Sequence, residues 1–365
     1  MTAVRPVLDA YLELNVILAL SALVWLAAGV VLARTPLRFA YVAQLRALKV
    51  LFVCVMLSPL LAIGAATLVQ AVWPGRAVTF GDIAVAAYLR GDIAIPATQF
   101  EVLLNTRQRW VDVILSGEST LLTLVVSGLA AMALLLALRT VLAALAIRNM
   151  VRSSFLWRRS ATVDVRLSDT ISVPFAVRGL FRRHVILPSH LLDKPRDMRF
   201  AIAHEFQHVR AGDIEWELAL EFMRPLFFWN PAYLILKYQF DRLRELGCDQ
   251  SVVARNVFDV RDYTTCLLDY CSRTASAGQP GVLNVALVNG SKAKRVLRQR
   301  VLALADGPAV QHSAPVLFLA LALTFVTVLS AGSVTIRKTD DWSHDRLMLS
   351  AVVNLERLAK INQGN

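Results

Sequence analysis

The chain has 365 residues, of which 56% are hydrophobic and 18% are charged, and its formal net charge is +12. This composition excludes an ordinary soluble domain, because a chain of this length cannot bury so much apolar surface by itself. It predicts a membrane protein. The basic residues are scattered, without aromatic interleaving or a DNA-binding motif, so we expect no direct nucleic-acid binding.

Four apolar stretches are long enough to cross a bilayer as helices, which takes roughly 20 residues each. They are Leu14–Leu32, Val50–Trp73, Thr120–Leu138 and Ala314–Val334. The first ends on Arg34 and lacks a small-residue cleavage site, so we interpret it as a retained anchor. The predicted fold class is an α-helical polytopic membrane protein with four transmembrane helices and an inserted α+β domain.

The basic residues also predict the orientation of the spans, since Lys and Arg near span ends stay on the cytoplasmic side. The first loop contains four basic residues and no acidic one: Arg34, Arg38, Arg46 and Lys49. Loop 74–119 balances four basic residues against five acidic ones. We therefore predict a bacterial inner-membrane protein with both termini extracytoplasmic. Its parts are a membrane region 1–138, a cytoplasmic domain 139–313, a fourth span 314–334 and an extracytoplasmic tail 335–365.

The cytoplasmic domain begins with a predicted small sheet over Thr162–Leu187. Residues 162–167 alternate between apolar and polar side chains, and Ile171–Val177 is a second strand that ends at the turn Arg178-Gly179. A third strand runs from His184 to Leu187, before Pro188. A mixed α+β domain is expected, because helical patterns follow the sheet.

Pro195 is predicted to begin a helix that ends at Gly212. Asn230-Pro231 has the pattern of an N-cap and a first-turn proline, and it opens a second helix that reaches about Ala254. The polar stretch Ser272–Lys294 is predicted to be a linker, and a basic helix follows at about Ala293–Leu304.

The chemistry resides in the first of these helices, where His204, Glu205 and His208 form the sequence His-Glu-Phe-Gln-His. Residues four apart project from one helical face, so both imidazoles can bind a single Zn²⁺. This is the HExxH pattern, in which Glu205 is the general base toward water and the metal is zinc, one ion per chain. The pattern predicts hydrolysis of amide bonds.

A catalytic zinc site usually needs a third protein ligand, which leaves the fourth position for water. Glu245 is our candidate, because it lies on the next long helix with Asp249 one turn later on the same face. The remaining histidines flank strand ends or the fourth span and are expected to be solvated or packing residues: His184, His190, His312 and His344.

Asp213 and Asp249 are the nearest carboxylates in sequence that could accept the second N–H of a ligating imidazole. An ordinary surface salt bridge is an equally good interpretation of either one. The cysteines form no CxxC pair and predict no disulfide framework, so we interpret all four as small apolar fillers: Cys54, Cys248, Cys266 and Cys271.

Several segments, taken in order, resemble the BlaR/MecR-type integral-membrane metallopeptidases, which are gluzincins of antirepressor type. The similarity covers roughly residues 160–305. The segments that carry it are Val173–Gly179, His184–Pro188, His204–His208 with Asp213, Phe228–Pro231 and Arg244–Asp249. The resemblance implies that Glu245 is the third zinc ligand and that the substrate is a protein or peptide, for example a cytoplasmic repressor.

The resemblance also implies a substrate site at the strand Ile171–Val177, where an extended peptide adds to the sheet edge beside Val173 and Phe175. A second hypothesis is self-cleavage within Ser272–Lys294, and an intact full-length band beside active enzyme would count against it. Members that sense β-lactams have a penicillin-binding domain after the last span, whereas only Thr335–Asn365 follow it here. We therefore expect no direct β-lactam acylation.

The sequence thus predicts a zinc metalloendopeptidase that is embedded in the lipid bilayer and acts in signal transduction. It is also predicted to be capable of forming a homo-oligomer. Three alternatives stay open. One is a membrane protease of the HtpX or CAAX-processing type, and another is a zinc-binding signalling scaffold that does not cleave its partner. A transporter is disfavoured, because ionisable residues are nearly absent from the span interiors.

Overall fold

A computed structural model describes residues 4–72, 85, 88–102, 113, 116, 119–179, 181–255, 259–277, 290–305, 321–322, 324 and 348–356. Three helices in this part of the chain are long and apolar enough to cross a membrane. They are α1 (Val4–Leu32), α2 (Tyr41–Val72) and α3 (Thr120–Ser153). The first three predicted spans are therefore confirmed as helices, and most of the fourth, Ala314–Val334, lies outside the described residues.

Three helix boundaries differ from the prediction. Helix α1 begins at Val4, ten residues before the predicted start at Leu14. Helix α2 begins at Tyr41, nine residues before the predicted start at Val50, and α3 continues from the predicted end at Leu138 to Ser153. Arg and Lys are good helix formers, so a charge that ends an apolar stretch does not end a helix. Lys49 consequently lies within α2 and not in a loop.

Four strands form one sheet in the order β1-β2-β4-β3: β1 (Phe155–Arg159), β2 (Val163–Ser168), β3 (Phe175–Arg178) and β4 (Arg183–Pro188). β2 and β4 are parallel, whereas β1 and β3 are antiparallel to their neighbours. The prediction missed β1, whose five residues are all exposed and show no alternation. It also began β3 at Ile171, four residues too early, because Pro174 has no N–H to donate to a strand ladder.

The core of this sheet lies against the helix with the HExxH pattern. Alternate residues of β2 and β4 point inward and pack with Leu191, Met198 and Val209. Central strand β4 has three consecutive residues with no exposed surface, from Val185 to Leu187. This packing holds one face of the helix on the sheet and leaves the other face for chemistry.

Five helices follow the sheet: α4 (Pro195–Ala211), α5 (Asp213–Phe227), α6 (Pro231–Val253), α7 (Val260–Ala277) and α8 (Gly290–Ala305). Gly212 separates α4 from α5 with φ 68°, a left-handed conformation that glycine adopts readily. The Asn230 side chain accepts a hydrogen bond from the Ala232 N–H at 3.0 Å and caps α6. These boundaries agree with the sequence.

The predicted linker Ser272–Lys294 was wrong at both ends. Helix α7 extends to Ala277 and α8 begins at Gly290. Buried Tyr263 and Leu267, one turn apart, anchor α7. The sequence of this helix is nevertheless rich in Ser and Thr, a composition that is typical of a loop. Residues 278–289 lie outside the described part of the chain.

The chain divides into two compact units. One comprises Met1–Trp25, Val50–Gly128 and Ala320–Asn365, and its described core joins Phe100 to Leu349 and Val353. The other comprises Leu26–Lys49 and Leu129–Leu319 and contains the sheet and helices α4 to α8. The HExxH residues belong to this second unit.

Candidate metal centre

Helix α4 brings the two histidines of the HExxH pattern together. The Nε2 atoms of His204 and His208 are 3.2 Å apart, and the two side chains are 16% and 11% exposed. Two nitrogens bound to one tetrahedral zinc ion at 2.0–2.1 Å are about 3.3 Å apart. The spacing therefore fits a shared ion. Glu205, half-buried, lies on the same helix beside His204.

Helix α6 adds the predicted third carboxylate to this pair. Glu245 places Oε2 3.7 Å from His204 Nε2 and Oε1 3.9 Å from His208 Nε2. Its side chain is 20% exposed, so the three groups form a partly open cluster near the surface of the domain. Two imidazoles and one carboxylate are a common donor set of catalytic zinc sites.

The Nδ1 atom of each histidine is already engaged, which leaves Nε2 for a metal. His208 Nδ1 lies 2.9 Å from Asp213 Oδ2. His204 Nδ1 lies 2.9 Å from Tyr263 Oη and 3.5 Å from Asp249 Oδ1, and the Tyr263 hydroxyl donates to that same carboxylate at 2.8 Å. Such partners fix the tautomer with the proton on Nδ1.

Two arginines flank the carboxylates. Arg300 of α8 donates to both oxygens of Asp249, at 2.7 and 2.8 Å, and lies 3.2 Å from Glu245 Oε2. Arg244 donates to Glu245 Oε1 at 3.1 Å. Burial would raise the pKa of Glu245, but Arg300, the hydrogen bond from His204 and Arg244 outweigh it and hold the pKa well below the ordinary value. Glu245 is therefore ionised and able to bind a cation.

The imidazoles favour their protonated forms. Burial would lower the pKa of His208, but Cys248, Asp213 and Glu245 raise it to about 10. The pKa of His204 also lies well above its ordinary value, because Cys248 and Tyr263 outweigh burial. A metal that binds the Nε2 atoms of His204 and His208 must displace the protons that these two atoms carry.

Cys248 is a second candidate for the third ligand. Its Sγ lies 3.4 Å from His204 Nδ1 and 4.0 Å from His204 Nε2, and ligand atoms of His204, His208 and Cys248 all lie within 4.8 Å of one another. Its burial fits the prediction of a small filler, but its surroundings are polar. The thiol lies nearer to Nδ1, whereas the Glu245 carboxylate bridges the two Nε2 atoms.

The other predicted positions lie apart from this cluster. His184 lies 3.7 Å from Asp164, and His190 is exposed on the short helix after β4. Phe175 belongs to β3, which forms one edge of the described sheet, and Val173 precedes that strand. His312 and His344 lie outside the described residues.

Sequence reasoning missed Tyr263, Arg244 and Arg300. Arg244 adjoins Glu245 in the chain and also pairs with Glu217 of α5, which fixes α6 against its neighbour. Arg300 is one of several basic residues on α8. Position in sequence gives no signal for Tyr263 or Arg300, because only tertiary packing brings α7 and α8 to the site.

Comparison with known proteins identifies the family of the chain. The family model described as BlaR1 peptidase M56 matches residues 14–304. The methicillin resistance mecR1 proteins of Staphylococcus aureus and Staphylococcus epidermidis are 28% identical to the chain over 93 residues. That segment is 25% of this chain and 16% of the relatives' own length. The family model covers more than half of the chain, which therefore belongs to the family described as BlaR1 peptidase M56.

Proposed function

We propose that this protein is a zinc-dependent metalloendopeptidase that hydrolyses peptide bonds at the cytoplasmic face of the membrane. His204, His208 and Glu245 hold one zinc ion per chain. The observation that carries the proposal is the 3.2 Å approach of the two Nε2 atoms beside the Glu245 carboxylate, while both Nδ1 atoms are engaged elsewhere. Imidazole with carboxylate suits zinc better than it suits calcium or magnesium, which prefer oxygen ligands alone.

Zinc, when bound, supplies Lewis acidity, which makes water a stronger acid and polarises the scissile carbonyl. Glu205 accepts the proton from the attacking water and delivers it to the departing amide nitrogen as the C–N bond breaks. Asp213 keeps the His208 ring in place, and Tyr263 with Asp249 does the same for His204. The site therefore has a general base and a fixed pair of nitrogen ligands.

The substrate that we propose is an extended segment of a protein, bound as an added strand along β3, at the edge of the described sheet, near Val173 and Phe175. This segment belongs to a cytoplasmic regulator or to the chain itself. Within the predicted segment 272–294, the candidate for self-cleavage is then residues 278–289, because α7 extends to Ala277 and α8 begins at Gly290.

We also propose the domain boundaries predicted from the sequence and the orientation predicted from the basic residues. The chain then has four spans and a cytoplasmic domain 139–313. Membership of the M56 family favours it over a protease of HtpX or CAAX-processing type.

The test compares the detergent-purified protein with the variant Glu205→Gln, which retains the shape of the side chain but cannot accept the proton. We expect about one zinc per chain in both proteins, by metal analysis. Incubation with membranes and cytosolic proteins of the source cell should produce new N-termini, seen by mass spectrometry, only with the unchanged protein.

Two results would contradict the proposal in different ways. If the protein binds zinc but shows no cleavage that depends on Glu205, the result would favour a signalling scaffold, which binds its partner but does not cut it. No zinc in either protein would remove the metal site itself.

A further inference from the structure

Lys49 is a cation in the first half of the apolar helix α2, and its ammonium group points into the catalytic unit. Its side chain is only 13% exposed. Nζ donates to Asp213 Oδ1 at 2.8 Å and to the Ala211 carbonyl at 3.1 Å. A partly buried ammonium with two such acceptors makes a specific structural contact.

Both acceptors belong to the corner that follows the HExxH helix. The Ala211 carbonyl is at the last residue of α4 and has no partner within its own helix, so Lys49 satisfies it. Asp213 divides its carboxylate between two partners, since Oδ1 accepts from Lys49 while Oδ2 lies 2.9 Å from His208 Nδ1. Lys49, Asp213 and His208 therefore form one continuous chain of charge-assisted hydrogen bonds.

The charge balance within this chain explains why a cation is needed. Asp213 is 3% exposed, and a carboxylate removed from water needs partners that offset its charge. Lys49 lies at one of its oxygens and His208 at the other. Held in this way, Asp213 keeps the His208 ring oriented with Nε2 toward a metal.

The same stretch of chain also contacts α6, the helix with Glu245. The Gln250 side chain donates to the Phe39 carbonyl at 2.8 Å, just before α2 begins. Gly247 packs against Val42, because a Cβ added to this glycine would lie in van der Waals contact with the Val42 backbone, at 3.7 Å. Lys49 Nζ lies 6.0 Å from the ring centroid of Phe240, also on α6. Residues 39–49 thus contact both helices that supply the proposed ligands.

We propose that Lys49 is a positioning residue of the metal centre, through which helix α2 controls the orientation of His208 by way of Asp213. This proposal rests on the proposed zinc site and adds the membrane helix that governs it. A displacement of α2 moves the ammonium group away from Asp213, and the metal site loses the partner that fixes one of its imidazoles. Lys49 is therefore more than one of the basic residues that set membrane orientation.

The test measures zinc affinity of the full chain in detergent by competition with a chromophoric chelator. Lys49→Met, which keeps the length of the side chain but removes the donor, should weaken zinc binding about 10- to 100-fold, the usual effect of removing a partner of a ligating histidine. Lys49→Arg retains a cationic donor and should restore most of the affinity. Arg46→Met is the matched control, because Arg46 is exposed three residues earlier on the same helix, and zinc affinity should be unchanged.

A double variant tests the route of the effect. If Lys49 acts through Asp213, then Lys49→Met should cost little further affinity in an Asp213→Asn background. The proposal would be overturned if Lys49→Met and Arg46→Met bound zinc with equal affinity. It would also be overturned if the losses of zinc affinity caused by Lys49→Met and Asp213→Asn were fully additive. Should Lys49→Met fail to fold, Lys49→Leu, which also lacks a donor, is read in the same way. Absence of zinc from the unchanged protein would instead refute the proposed function.

Discussion

At the scale of single residues, the donor set of the proposed metal site depends on how the two histidines are held. Each Nδ1 has a separate partner, Asp213 for His208 and Tyr263 for His204, so the two Nε2 atoms face one another. Glu245 lies on the Nε2 side, whereas Cys248 Sγ is nearer to His204 Nδ1. This distinction supports the proposal that Glu245 is the third ligand.

The distinction can be tested by two substitutions one turn apart on α6. Glu245→Gln should lower zinc affinity by more than about 100-fold, beyond the range seen for groups that only support a ligand. Cys248→Ser should keep about one zinc per chain. Zinc content and chelator competition of the purified variants measure both effects.

Glu221→Gln is the control for removal of a buried carboxylate in the same domain, since Glu221 pairs with Lys237 and Arg224 and not with the histidines. It should keep its zinc. The opposite pattern, with zinc lost in Cys248→Ser and kept in Glu245→Gln, would assign the third ligand to the thiolate.

At the scale of elements, the corner between α4 and α5 holds one of the proposed imidazole ligands, and the edge strand β3 is the proposed substrate site. Gly212 adopts φ 68° and turns the chain sharply, so Asp213 returns to His208 only five residues later. Strand β3 pairs with β4 on one side and forms an edge of the described sheet on the other. An edge presents main-chain donors and acceptors to an extended peptide.

Phe175→Asp should therefore raise KM for a peptide substrate by roughly tenfold, equivalent to about 1.4 kcal/mol of binding, with little change in kcat. The reason is that an extended peptide packs its side chains beside those of the edge strand, where Phe175 is half-buried. Steady-state kinetics with the substrate identified by mass spectrometry provide the measurement.

Phe181→Asp is the matched control, because Phe181 is 90% exposed in the connection between β3 and β4. Its KM should be unchanged. An unaltered KM in Phe175→Asp, with a Tm equal to that of the unchanged protein, would remove β3 from the substrate site. Val173 is a weaker test position, since it precedes the strand.

At the scale of the whole molecule, the predicted orientation places two exposed positions on opposite sides of the membrane. Arg90 lies in loop 74–119 and Phe181 lies in the segment 139–313. In spheroplasts, a membrane-impermeant maleimide should label Arg90→Cys directly and Phe181→Cys only after permeabilisation, because the proposed orientation places segment 139–313 inside.

The unchanged chain provides the baseline for this labelling, because its four cysteines are present in every variant. Among the side chains that the structure describes, Cys248 is buried and Cys54 and Cys266 are half-buried. Labelling of Phe181→Cys in intact spheroplasts would reverse the proposed orientation. It would also place the peptidase outside the cytoplasm, where a cytoplasmic regulator could not be its substrate.

The sequence by itself determined the features that depend on neighbouring residues. Continuous apolar stretches established three membrane helices, the four-residue spacing placed His204 and His208 on one face, and Asn230-Pro231 marked the start of α6. These are local effects, because helix periodicity and capping act within one or two turns. Boundaries were less well determined, as the early start of α2 shows.

Only the tertiary structure decided which distant groups complete the site. Lys49 and Asp213 are 164 residues apart in sequence, and Arg300 and Asp249 are 51 apart, yet both pairs are in contact. Nothing in the local pattern distinguishes these cations from others on the same helices. Their roles come from burial, because an ammonium or guanidinium removed from water must lie beside a carboxylate that offsets its charge.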